Sequence, residues 1–70
     1  MSRISEHNLM RVQRSIDQRA VSYQKKLDIK KIMIILVKQR FKVKDLRDLQ
    51  NEDVHDILSY IDGAILSGRG

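Results

Sequence analysis

Residues 28–44 read DIKKIMIILVKQRFKVK, and how this stretch folds decides the architecture. Asp28 is a good helix N-cap, and the segment from Ile29 to about Arg40 contains no glycine or proline to interrupt a helix. Ile32, Met33, Ile34, Ile35, Leu36 and Val37 are apolar around the whole circumference of such a helix, and a helix apolar all round must be buried all round. The competing reading is a buried strand, because isoleucine and valine are β-branched and the run is short. Arg40 to Lys44 also alternates with period two, as an edge strand or extended connector does. The flanks carry no turn residues, which favours the helix over 29–39.

Working outward, residues 5–26 carry Leu9, Val12, Ile16, Ala20 and Tyr23, with Leu27 just beyond. They recur every three or four residues and so fall on one face of a helix. Ser5 is placed to cap it, and Glu6 suits the positive end of the helix dipole. Downstream, Val43, Leu46 and Leu49 predict one or two further helical turns. Asn51 then caps a last helix with Val54, Ile57, Leu58, Ile61 and Ile65 on its apolar face, and Glu52 and Asp53 in its first turn. Gly63 either ends that helix or admits another backbone, and Gly68 is a later stop. Residues 1–4 and 67–70 are expected to fray.

The whole chain of 70 residues is thus expected to be one all-α domain: a helical hairpin plus an amphipathic C-terminal helix. A single core this small yields about 3–5 kcal/mol and usually needs reinforcement. The chain has no cysteine, which removes disulfides, thiolate zinc sites and thiol nucleophiles. An intertwined or packed homodimer then becomes the economical way to cover the all-round apolar run. Its expected core is Ile32, Ile35, Leu36 and Phe41, with Ile57, Leu58, Ile61, Leu9, Val12 and Ile16 packed alongside.

The charge is unevenly laid out. Residues 1–47 hold thirteen Lys or Arg against four acids, and residues 48–70 hold one Arg against five acids, so a +9 body carries a −4 tail within the net +5. The densest basic stretch is Lys38, Arg40, Lys42, Lys44 and Arg47, opposed only by Asp45. A second group, Arg11, Arg14, Lys25, Lys26, Lys30 and Lys31, lies around the first helical junction. Such a patch suits phosphate backbones, which bind cations through counterion release. A plain solvated surface uses the same residues, as does internal neutralisation by the acidic last helix.

Other chemistry finds little footing. A helix-turn-helix over 29–66 would present Glu52, Asp53 and Asp56 to the groove, where acids repel both phosphate rails. Tyr23, Phe41 and Tyr60 are too few for a base-stacking platform and read as packing residues. His7 and His55 are far apart and give no metal-ligand spacing; every glycine is C-terminal, so no phosphate-cradling loop exists; no serine has an activating His and acid nearby. The longest apolar run is six residues, far below the ~20 that span a bilayer. The expectation is a small cytoplasmic protein that regulates transcription as a homodimer: not an enzyme, with no cofactor, metal, membrane or small-molecule substrate. It contacts nucleic acid through Lys38, Arg40, Lys42, Lys44 and Arg47. The alternative is an adaptor that captures a protein partner through Glu52, Asp53 and Asp56, or through an apolar groove.

Overall fold

The computed structural model describes residues 2–64, and these form three α-helices and two single 3-10 turns. Helix α1 spans Glu6–Ala20, α2 spans Lys26–Phe41, and α3 spans Val54–Gly63, with 3-10 turns at Leu46–Asp48 and Asn51–Asp53. Among the described residues there is no β-strand, only one isolated antiparallel bridge between Arg3 and Gln50. The all-α reading holds, and the strand reading of 32–44 gives way to a helix reaching Phe41. No helix is long and apolar enough to cross a membrane among these residues.

Helix α1 begins where the sequence indicates. The Ser5 hydroxyl accepts the Asn8 N–H at 3.2 Å, capping the first turn. Leu9, Val12, Ile16 and Ala20 are buried along one stripe. The helix ends at Ala20, earlier than its periodicity suggests, and the Ser22 hydroxyl donates to the Arg19 carbonyl, satisfying a last-turn acceptor. Tyr23 then packs against the core from the turn, while Leu27 leaves the stripe and stands 72% exposed. Across the hairpin, the Lys30 ammonium lies 2.8 Å from the Asp17 carboxylate.

Helix α2 starts at Lys26, two residues ahead of the expected cap at Asp28. Lys25 is the N-cap residue and has no side-chain cap bond; its carbonyl already accepts the Ile29 N–H at 3.0 Å. Asp28 therefore sits inside the first turn, where its charge still suits the positive end of the dipole.

The apolar run on α2 is not buried all round in the single chain. Ile29, Met33 and Val37 face the core, and Ile34, Leu36 and Phe41 are partly buried beside it. Ile32 and Ile35, expected in the shared core of a homodimer, are 44% and 51% exposed in the single chain. Helices α1 and α3 pack against one side of α2, so its opposite face stays in contact with solvent. The buried set is closed by Ile4, Leu46, Leu49, Val54, Ile57 and Ile61, with Leu58 packed partly against it. Each such side chain contributes about 1.5–3 kcal/mol when fully buried.

After α2 the expected turns over 43–49 shrink to one 3-10 turn. Val43 is partly buried, while Leu46 and Leu49 anchor the segment in the core. The scaffold, short helix and recognition helix of a helix-turn-helix are therefore not reproduced. Residues 2–4, expected to fray, are held: Ile4 N–H donates to the Leu49 carbonyl at 2.7 Å, and Asn51 N–H donates to the Ser2 carbonyl at 2.8 Å. Asn51 does not cap α3, whose N-cap residue is Asp53 without a side-chain cap bond. Its Oδ1 accepts from Ser5 N–H at 2.8 Å and from the Asn8 amide at 3.1 Å. Gly63 is the last residue of α3, and a Cβ there would meet nothing within 4 Å. Met1, Ile65, Gly68 and residues 67–70 lie outside the described residues.

Candidate nucleic-acid interface

The basic stretch is built on the last turn of α2 and the connector that follows. Lys38 is half-buried on that turn, and Arg40 is exposed one step further. The Arg40 guanidinium carbon lies 5.4 Å from the centroid of the Phe41 ring, within cation–π range. Phe41 meets Tyr60 edge-on, with centroids 6.2 Å apart at 87°. This contact ties the ring to α3 of its own chain, so Phe41 is already half-covered before any partner arrives.

Lys42 ends α2 in the left-handed region, at φ 57° and ψ 48°. Among the described residues it is the one non-glycine with positive φ. The Val43 N–H reaches back to the Lys38 carbonyl at 3.0 Å, closing the helix in the manner usually given to glycine. A side chain in this conformation costs about 1–2 kcal/mol. Lys44 follows, exposed. Asp45 then accepts the Arg47 backbone N–H at 3.1 Å, which starts the 3-10 turn and sets Leu46 into the core.

Carboxylates engage some cations and not others. Arg3 lies 3.8 Å from Asp48, Lys30 lies 2.8 Å from Asp17, and Arg47 lies 3.5 Å from Glu6. No ion pair reaches Lys38, Arg40, Lys42 or Lys44 among the described residues. The five expected contact residues thus divide: four follow one another without a carboxylate partner, and Arg47 leans toward the start of α1. In the second basic group, Arg11 donates to the Asn8 side-chain oxygen at 3.2 Å and Lys30 is paired.

The acids of the alternative reading also divide. Glu52 accepts the Ser2 N–H at 3.3 Å. Hydrogen bonds from its own backbone N–H and from Ser2 hold its carboxyl below the usual glutamate value. Asp53 and Asp56 line a surface groove together with Arg40, Phe41, Ser59 and Tyr60. The acidic helix therefore does approach the basic stretch, at Arg40, without closing an ion pair there.

Three long-range ties leave no mark in the local sequence pattern. They are the Asn51 bonds to α1, the Arg3–Gln50 bridge, and the Arg19 guanidinium, which donates to the Ala64 carbonyl at the end of α3. Arg19 reads as one surface cation among several, and no local spacing announces a carbonyl 45 residues away. Compared with family models, curated proteins and solved structures, the chain matches none.

Proposed function

We propose that this chain is a small regulatory protein of the cytoplasm that works as a homodimer and contacts nucleic acid through phosphates. Lys38, Arg40, Lys42 and Lys44 make the contact, with Arg47 at its margin. The carrying observation is that these four neighbouring cations have no carboxylate partner among the described residues, while Arg3, Lys30 and Arg47 do. Lys42 adds weight, because a lysine sits where glycine would relieve backbone strain. The role is one of binding rather than catalysis.

The test is fluorescence anisotropy with a random duplex at about 50 and about 200 mM salt, since each neutralised phosphate adds ~0.9 to the slope of log K against log salt. Replacing Lys42 and Lys44 by glutamine should weaken binding uniformly across sequences and lower that slope by about 2. Absence of binding at low salt rejects the reading.

A second reading is favoured by the groove in which Asp53 and Asp56 flank Phe41 and Tyr60. There the chain is an adaptor that receives a basic segment of a protein partner through Asp53 and Asp56, while Glu52 holds Ser2. Charge reversal at Asp53 and Asp56 abolishes capture under this reading and leaves duplex affinity intact or raised.

A further inference from the structure

Helix α2 carries a second stripe opposite its core face. Asp28, Ile32, Ile35 and Gln39 are all exposed, and their spacing of four, three and four is that of a coiled-coil seam. Single exposed apolar residues are ordinary, but here two branched side chains stand one turn apart, 44% and 51% exposed. Leu36 extends the apolar surface sideways into a groove lined by Tyr60, Gly63 and Ala64. Gly63 leaves that groove open.

We propose that this stripe is the seam of a two-fold homodimer in which the two α2 helices pack antiparallel, with Ile32 level with the partner's Ile35. This rests on the homodimer of the proposed function and not on its nucleic-acid contact. Charge within the seam selects both the occupant and the direction. Helix α2 has Asp28 in its first turn and Lys38 and Arg40 in its last. Antiparallel packing sets Asp28 beside the partner's Gln39, whose amide donates to it, inside that basic last turn. Parallel packing instead sets Asp28 against the partner's Asp28 in the seam itself, whereas the antiparallel arrangement brings only the flanking Lys31, exposed on α2, near the partner's Lys38. The helix dipoles also oppose one another only in the antiparallel arrangement. Phe41, tied to Tyr60, stays outside the seam. The two Lys38–Lys44 segments then stand at opposite ends of the paired helices.

The chain has no cysteine, so introduced thiols report on the seam directly. Asp28→Cys, Gln39→Cys and their equimolar mixture are oxidised and separated on a non-reducing gel, beside light scattering of the native chain and of Ile35→Asp. Antiparallel packing predicts a bridged dimer in the mixture and little with either variant alone. Residues 28 of the two copies then lie ~16 Å apart along the axis, beyond the ~7 Å reach of a disulfide. It also predicts a dimeric native mass that Ile35→Asp halves, with an unchanged helical circular-dichroism signal. A bridged dimer from Asp28→Cys alone overturns the antiparallel seam and keeps the homodimer. A monomeric native mass overturns both, and leaves the anisotropy titration to decide the phosphate contact. A dimer that survives Ile35→Asp overturns the seam.

Discussion

The side-chain oxygen of Asn51 accepts the backbone N–H of Ser5 at 2.8 Å, a bond between residues 46 apart in the chain. The same oxygen accepts the Asn8 amide at 3.1 Å. The start of α1 is therefore capped twice: locally by the Ser5 hydroxyl, and from a distance by the segment that leads into α3. Replacing Asn51 by alanine should cost about 1–2 kcal/mol, with the melting temperature falling roughly 4–8 °C per kcal/mol in a domain this small. Asn51→Asp keeps the acceptor and places a negative charge at the positive end of α1, so it should restore most of the loss. Thermal melts of the two variants decide this; equal losses would remove the acceptor role.

Opposite sides of α2 should respond differently to truncation. Met33 is 0% exposed and Ile35 is 51% exposed. Met33→Ala opens a cavity and should cost about 2–5 kcal/mol at any protein concentration. Ile35→Ala removes nothing from the core of the single chain, so its effect on unfolding should grow with concentration as the dimer population grows. Urea titrations at two protein concentrations separate them.

Lys42 joins backbone strain to charge in one residue. Lys42→Gly should raise stability by about 1 kcal/mol, because glycine adopts the left-handed conformation without the Cβ clash. The same change should weaken duplex binding and lower the salt slope by about 1, since one phosphate contact is lost. A more stable protein that binds less well is a result that unfolding cannot mimic. Loss of stability instead would show that the lysine side chain supports the helix end.

Much of this is legible in the residues themselves. The Ser5 cap and the stripe of Leu9, Val12, Ile16 and Ala20 follow from local spacing, as does burial of Val54, Ile57 and Ile61, because each depends on period and cap alone. Helix α2 is harder, since an apolar run without polar interruption has no face written into it. Which side faces inward is set by where α1 and α3 lie, and this selects Ile29, Met33 and Val37 over Ile32 and Ile35. Asn51 misleads for a related reason. Directly before Glu52 and Asp53 it has the form of a local cap, but its side chain serves a helix distant in sequence. The basic stretch is visible as a run of charges, whereas its division into paired and unpaired members depends on the packing of Glu6, Asp17 and Asp48.

The held N-terminal segment gives a prediction in pH. Glu52 is bonded by its own backbone N–H and that of Ser2, and its carboxyl is lowered from the ordinary 4.5. A carboxyl depressed in the folded state favours the fold when ionised. Its contribution is present above the unfolded value and is lost as pH falls through the folded one. Native stability should therefore decline below 4.5 partly through this group, and Glu52→Gln should flatten that part of the curve. The variant should be the less stable protein near neutral pH, and the two curves should converge in acid. Denaturant midpoints measured across this range test the point. Parallel curves throughout would mean that the Glu52 carboxylate does not hold Ser2, and that the bridge between Arg3 and Gln50 secures the segment without it.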